Sequence, residues 1–222
     1  MRHRMRIHRV RLGADTYRVV RPDRPAAGAH LHEREVAELY ADGEAAHQLA
    51  VAWALAARSP RSLIHLPMRG NAAPPGLPLA PGESAEPLDL VLVHHRLGFP
   101  PSRWKAVRAR LGAGVPHTVR LPPGDLPPTD AEPEPRLYDR EFRDHLGFAR
   151  AAGTVFVIGS ATAFRRTGAA IRELTTAERT PGADGPVHLC AELDAAPHRL
   201  RRTRRGETTT LHIQYHDAWR AA

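Results

Sequence analysis

Residues 154–174, TVFVIGSATAFRRTGAAIREL, combine an apolar run, a glycine and a stretch with helical spacing. The four consecutive β-favouring residues 155–158 predict a strand buried on both faces, as in a parallel sheet. Beyond Gly159, apolar residues recur at intervals of three and four as far as residue 174, and Ser160 or Thr162 can cap the first turn. The stretch therefore predicts a strand, a tight turn and a helix that packs back on the sheet.

Similar patterns recur along the chain. Further predicted strands lie at 62–66, 88–94, 117–121, 187–193 and 209–215, and further predicted helices at 102–111 and 138–149. From residue 88 onward, helices separate successive strands, and each connection is long enough for a right-handed parallel crossover. We therefore expect an α/β protein with a mainly parallel sheet covered by helices, a Rossmann-like three-layer arrangement, that ends in an antiparallel pair of strands.

The first 60 residues show a different pattern. Residues 6–11 and 16–21 are β-favouring runs around a glycine-containing loop, which predicts a hairpin exposed at a sheet edge. Residues 32–58 have helical spacing with a break near residue 42. We expect residues 1–222 to form a single domain, in which residues 1–60 could be an appended hairpin and helical layer. The proline-rich stretches 72–87 and 122–135 predict surface loops.

Composition limits the class of protein. The chain of 222 residues is 42% hydrophobic, which is enough for a core, and has a single cysteine, Cys190, so that it can form no internal disulfide or paired-cysteine zinc site. The N-terminal residues lack the apolar core of a secretory signal, and the longest apolar stretch, residues 49–57, is too short to span a bilayer. We expect a cytoplasmic protein that does not enter a membrane.

Several enzyme classes lack support. The sequence contains no phosphate-binding loop of the G-x-x-x-x-G-K-[ST] type, no G-x-G-x-x-G fingerprint, no G-x-S-x-G elbow and no H-E-x-x-H helix. A conventional P-loop NTPase, dinucleotide-dependent dehydrogenase, α/β-hydrolase or zincin is therefore not expected. Whether the protein is an enzyme, and which cofactor it would use, stays open at this stage.

The most plausible ligand site is the carboxyl-terminal rim of the expected sheet. Ligands of open parallel sheets bind at this rim, and the turn after residue 158 offers backbone N–H groups and the positive end of a helix dipole. If the strands at 62–66 and 88–94 run parallel to the strand at 154–158, the rim would hold a small anion, such as a nucleotide or a phosphorylated metabolite. The predicted ligand-binding residues are Arg69, His95, Gly159, Ser160, Thr162, Arg165 and Arg166.

The positive charge supports an alternative. The net charge is +8, but residues 1–24 carry +6 and residues 199–205 carry +5, so the basic character belongs to two segments near the ends of the chain. Such segments could bind nucleic acid or simply be solvated. The predicted contact residues of this alternative are Arg201, Arg202, Arg204 and Arg205. A third possibility is an accessory protein without catalytic activity that binds a protein partner or a second copy of itself.

Histidines suggest two weaker sites. One of the adjacent histidines His94 and His95 could act as a general base, although a hydrogen-bonding role is more common for one of 14 histidines. His212, His216 and Asp217 could contribute to a metal site only with a third histidine, such as His94 or His188. Alternating His and Gln is also typical of the exposed face of an edge strand, so no metal site is predicted.

Overall fold

The computed structural model describes residues 2–34, 36–77, 86–126, 134–135, 137, 139, 141–176, 189–195 and 209–216. Within these ranges the chain forms eleven strands and three α-helices arranged around two sheets. The strands are β1 (Arg2–Leu12), β2 (Asp15–Pro22), β3 (Ala29–Glu33), β4 (Ala37–Ala41), β5 (Ser62–Leu66), β6 (Asp89–His94), β7 (Val115–Arg120), β8 (Gly147–Arg150), β9 (Thr154–Gly159), β10 (Cys190–Asp194) and β11 (Thr210–Tyr215). The helices are α1 (Gly43–Arg58), α2 (Trp104–Arg108) and α3 (Ala161–Thr176).

The larger sheet has seven strands in the order β7-β1-β2-β5-β6-β9-β8. Only the β2–β5 and β6–β9 pairs are parallel, and the other four pairs are antiparallel. The prediction of a mainly parallel, Rossmann-like sheet is therefore wrong. The two parallel pairs are those whose strands are joined by long connections with helices, whereas no helix is described between β5 and β6, which pair antiparallel.

The smaller sheet has four strands in the order β10-β11-β4-β3, in which only β11 and β4 are parallel. Strand β4 and the last two residues of β3 fall where the sequence predicted the first part of a helix. The buried residues Leu31, Ala37, Leu39 and Ala41 are compatible with a period of two within each strand, and this burial decided the structure. The predicted helix at 138–149 is also wrong, because Gly147–Arg150 forms β8 and pairs with β9.

The hairpin of β1 and β2 is present, but it is not at the edge of the sheet. Strand β7 pairs with the other side of β1, from Arg2 opposite Arg120 to Ile7 opposite Val115. The first strand of the chain is thus internal, and the N-terminal arginines lie on a three-stranded surface rather than along a free edge.

The helix pair α1 and α3 contacts both sheets: α1 packs on β4, β5 and β6, and α3 packs on β9 and β10. Helix α1 is rich in alanine and buried along most of its length, which lets α3 approach closely. Trp53 of α1 is fully buried and donates a hydrogen bond from Nε1 to Thr167 Oγ1 of α3 at 3.0 Å. A second core on the opposite face of the seven-stranded sheet contains Trp104 and Phe156.

Candidate ligand site

The structure separates the residues that were predicted to form one rim. Strands β5 and β6 are antiparallel, so Arg69, which follows β5, lies near the start of β6. His95 and Ser160 follow the paired residues His94 and Gly159 at the other end of β6 and β9. The two groups are separated by the length of β6, roughly 17 Å. The structure therefore does not bring Arg69 together with His95 and Ser160 at one end of the sheet.

The turn at Gly159 and Ser160 is already occupied by the protein itself. Ser160 Oγ accepts a hydrogen bond from Ala163 N at 3.0 Å, which caps α3, and donates one to Asp144 Oδ1. A side chain at Gly159 would meet Leu146 at 2.9 Å. Because the carboxylate of Asp144 lies at the positive end of the helix dipole, this turn has an internal anion in place of a ligand.

The remaining predicted residues of α3 do not converge on a cavity among the described residues. Thr162 and Arg165 are exposed on the helix surface. The guanidinium of Arg166 lies 5.7 Å from the centre of the Phe142 ring, and its Nη2 donates to the Asp144 carbonyl at 3.3 Å. Arg166 therefore packs against the segment before β8.

His94 and His95 also have structural surroundings. His94 is buried, and its Nδ1 accepts a hydrogen bond from Arg96 N at 3.2 Å. Burial, followed by the positive charges of the neighbouring His95 and Arg96, lowers the pKa of His94. His95 is exposed, and its ring lies edge-on to that of His94 with a centroid distance of 4.9 Å. The two rings thus pack against each other at the end of β6.

Arg69 belongs to a buried polar network around Asp89 at the start of β6. Asp89 Oδ1 accepts hydrogen bonds from the backbone nitrogens of Met68 and Arg69 at 2.9 and 3.1 Å. Its Oδ2 lies 3.3 Å from Arg69 Nε and from Arg108 Nη1, and 3.5 Å from His65 Nε2. The network thus links the segment after β5 to α2.

The pKa shifts in this network follow from burial and hydrogen bonding. Burial favours the neutral form of Asp89, but the hydrogen bonds from His65, Arg69 and Met68 outweigh it and lower the pKa of Asp89 to about 2. Burial lowers the pKa of His65. Because Asp89 is 4% exposed and His65 is 2% exposed, we assign this network a structural role.

A cleft of about 340 Å³ lies between the open end of the β1–β2 hairpin and the first turns of α1. Its apolar surface comes from Met5 and Val51, and its rim is polar and largely basic. The complete set of lining residues is Arg2, His3, Arg4, Met5, Pro22, Asp23, Arg24, Glu44, His47, Gln48 and Val51. Helix α1 begins here because Asp42 Oδ1 accepts a hydrogen bond from Ala45 N.

The cleft carries more positive than negative groups. Three arginines and two histidines line it, against the two carboxylates of Asp23 and Glu44. Asp23 Oδ1 is already bound by Arg6 Nε at 2.6 Å, so Glu44 is the remaining acid among these lining residues. The surplus of guanidinium groups makes the cleft suitable for an anion.

Two histidines face each other in this cleft. The ring centroids of His3 and His47 are 5.0 Å apart, and His47 Nε2 has no hydrogen-bond partner among the described residues. Burial and then the neighbouring charge of His47 lower the pKa of His3. Both imidazoles belong to the lining of the cleft.

Sequence reasoning missed this cleft. It identified the charge of residues 1–24, but it did not single out His3 or His47. These two residues are 44 positions apart in the chain, and no local pattern relates the first strand to the helix that contains His47. Arg201, Arg202, Arg204 and Arg205, the predicted contacts with nucleic acid, lie outside the described residues.

The histidine-rich segments do not form a metal site in the part of the chain that the structure describes, where no group of three His, Cys, Asp or Glu side chains is placed to hold an ion. His212 Nδ1 lies 3.5 Å from Glu192 Oε1, and His188 and Asp217 are outside the described residues. Among the described helices, none combines the length and apolar character needed to cross a membrane.

The fold and the cleft define an α/β protein with two mixed sheets and a basic pocket at one end of the larger sheet. No protein family, curated protein or solved structure matches this chain.

Proposed function

We propose that the protein binds a small anionic ligand in the cleft between the β1–β2 hairpin and α1. The observation that supports this proposal is the lining of the cleft by three arginines and two histidines. Of the two carboxylates that line it, Asp23 is paired with Arg6, which leaves Glu44. Ligand pockets in proteins typically have volumes of about 300 to 1,000 Å³. The volume of about 340 Å³ suits a molecule the size of a nucleotide or a phosphorylated metabolite.

The chemistry of the lining indicates how such a ligand would be held. Guanidinium groups bind phosphate and carboxylate oxygens through paired, charge-assisted hydrogen bonds. The side chains of Arg2, Arg4 and Arg24 can approach from the solvent side of the cleft, since all three residues are exposed. Met5 and Val51 provide an apolar surface on which the uncharged part of the ligand would pack.

Thermal unfolding with a panel of anions tests the proposal. Inorganic phosphate, pyrophosphate, citrate and AMP would be titrated into the protein at fixed ionic strength, because a ligand that binds only the folded state raises the unfolding temperature in a saturable way. We expect at least one of these anions to do so. The proposal would be contradicted if none of the four anions raised the unfolding temperature in a saturable way.

Matched variants locate the binding. Arg24→Gln removes one guanidinium from the cleft, and His47→Phe removes the imidazole donors. Loss of a hydrogen bond to a charged ligand should weaken binding by roughly 10-fold to 100-fold in each variant. Arg96→Gln removes an exposed arginine near the opposite end of the sheet and should leave the affinity unchanged. Equal losses in Arg24→Gln and Arg96→Gln would show that the anion responds to net charge and not to the cleft.

A further inference from the structure

The β1–β2 hairpin has a second basic surface that does not belong to the cleft. On the side of the sheet that faces α1, Met5 and Val20 are buried beneath the helices. Further along the same face, Arg9, Arg11 and Arg18 are exposed to solvent. The helix layer therefore covers one end of the hairpin and leaves the other end open. We call the set Arg9, Arg11 and Arg18 the arginine face.

The arginine face concentrates like charges. Arg9 and Arg18 are directly opposite each other in the antiparallel pairing of β1 and β2, and Arg11 is opposite Thr16, so it is diagonal to Arg18. Directly opposed side chains have Cβ atoms about 5 Å apart, and like charges at this distance repel each other. In the ranges that the structure describes, none of the three guanidiniums forms an ion pair with a carboxylate.

The neighbouring strand adds no negative charge. β7 has the sequence VPHTVR and pairs with β1, so Val115 and His117 lie on the same side of the sheet as the arginine face. Val115 is 69% exposed, and His117 is also exposed. The one acid of β2, Asp15, forms an ion pair with Arg103. This part of the sheet is thus an open surface with one sign of charge.

We propose that the arginine face binds the phosphate backbone of double-stranded nucleic acid without sequence preference. Arginine suits phosphate because its planar guanidinium presents paired donors, and an extended polyanion would relieve the repulsion between the opposed side chains. Among the described residues, the arginine face and the adjoining part of β7 have no Phe, Tyr or Trp. Binding of single strands commonly uses such rings as stacking platforms, so a duplex fits this surface better.

Fluorescence anisotropy with a labelled mixed-sequence DNA duplex tests this proposal, over salt concentrations from about 50 to about 200 mM. We expect the logarithm of the binding constant to fall linearly with the logarithm of the salt concentration, by about 0.9 for each phosphate neutralised. The triple variant Arg9→Gln, Arg11→Gln, Arg18→Gln should bind at least about 10-fold more weakly at the lower salt concentration, with a slope reduced by about 2 to 3.

A control of equal charge is Arg96→Gln, Lys105→Gln, Arg165→Gln, because these three exposed residues lie on other surfaces. It should retain most of the affinity. Equal losses in the two triple variants would overturn the proposal, as would the absence of binding by the wild-type protein at about 50 mM salt. A preference for single-stranded DNA of the same length, or for vesicles containing an anionic lipid, would also overturn it.

Two further measurements support the interpretation of a loss of DNA binding. One shows whether the variant still folds, and the other shows whether the cleft and the arginine face bind their ligands independently. Removal of opposed like charges should leave the unfolding temperature of the arginine-face variant unchanged or raised, so lost DNA binding would not reflect unfolding. Arg24→Gln should weaken binding of the small anion in the cleft while the duplex affinity changes by less than about 3-fold. A larger loss of duplex affinity in Arg24→Gln than in the arginine-face variant would overturn the assignment of the duplex to this face.

Discussion

His65 Nε2 lies 3.5 Å from Asp89 Oδ2, and both side chains are almost entirely buried between β5, β6 and α2. The contact joins strands that run in opposite directions, and the second oxygen of Asp89 binds the backbone nitrogens of Met68 and Arg69. Asp89 thereby fixes the direction in which the chain leaves β5. Arg69, which its carboxylate contacts, lies near the start of β6, whereas His95 follows the end of β6.

Replacement Asp89→Asn should strongly destabilise the protein. Asparagine can still accept the two backbone hydrogen bonds through its carbonyl oxygen, but Arg69 and Arg108 lose the buried carboxylate that they contact. Loss of one partner from a buried ion pair typically costs about 3 to 5 kcal/mol, and because Arg69 and Arg108 are partly exposed we expect roughly 3 kcal/mol. Urea unfolding near neutral pH measures the change in the free energy of unfolding.

The exposed aspartate Asp194 provides the control. Its Oδ1 accepts a hydrogen bond from Thr210 Oγ1 at 2.7 Å, and Asp194→Asn preserves that acceptor. The control should change the free energy of unfolding by less than about 1 kcal/mol. If Asp89→Asn were as mild as Asp194→Asn, the network around Asp89 would contribute little to stability.

Gly114 permits a close approach between the turn before β7 and His8 of β1. Its φ angle is +70°, and a Cβ atom at this position would lie 2.6 Å from His8 Cε1. Gly114→Ala must therefore shift the buried imidazole as well as strain the backbone, and we expect a loss of about 3 kcal/mol in stability. Thermal and urea unfolding would measure this loss.

The variant Gly13→Ala distinguishes the steric effect of an added Cβ atom from the backbone strain. Its φ angle is +67°, but no atom lies within 4 Å of an added Cβ, so Gly13→Ala should cost only the backbone strain of about 1 kcal/mol. A similar cost for both substitutions would mean that His8 moves away freely and that its packing against Gly114 is weak.

Local patterns predicted individual strands better than their arrangement. The apolar runs at 62–66, 88–94 and 154–158 each form a strand, because burial on both faces requires such residues in any sheet. The same runs do not specify direction. A buried strand is equally apolar whether its neighbour is parallel or antiparallel, and the antiparallel pairing of β5 and β6 depends on contacts such as His65 with Asp89 that are 24 positions apart.

Residues 29–41 show a second limit. Val36, Leu39 and Tyr40 have helical spacing, whereas Ala37, Leu39 and Ala41 have the period of two that a strand requires, and β4 forms in the smaller sheet. The candidate site was missed for a related reason. Charge in residues 1–24 was visible, but the contact of His3 with His47 depends on how α1 docks beside β1, which no local pattern encodes.

Ser160 should prove structural and not ligand-binding. Ser160→Ala removes both the cap of α3 and the hydrogen bond to Asp144, and we expect a loss of about 1 to 2 kcal/mol in stability with no change in the affinity for an anion that binds the cleft. Ser160→Thr retains the capping hydroxyl and should cost less than Ser160→Ala. If a folded Ser160→Ala protein bound the anion more weakly, the ligand site would lie at the turn after β9 and not in the cleft.

The affinity of the cleft for an anion should rise as the pH falls. Burial and the neighbouring His47 hold the pKa of His3 below its ordinary value, so His3 is mainly neutral near neutral pH in the free protein. An anion beside it favours the protonated form, and binding is therefore coupled to proton uptake. Affinity should increase as the pH falls through the higher pKa of His3 in the complex, and it should level off below the lower pKa in the free protein.

Calorimetric titration with sulfate, which stays doubly charged over the range from about pH 5 to about pH 8, measures this coupling; uptake of one proton corresponds to a slope of at most about 10-fold per pH unit. The other charged groups near His3 are Arg2 and Arg4 on β1, Asp23 and Arg24 after β2, Glu44 on α1, and the N-terminal amine, whose charge also lowers the pKa of His3. Substitution of His3 therefore decides which group produces the slope. His3→Gln should flatten it, whereas His95→Gln at the opposite end of the sheet should leave it intact. A slope that survived in His3→Gln would show that His3 is not the source of the proton uptake.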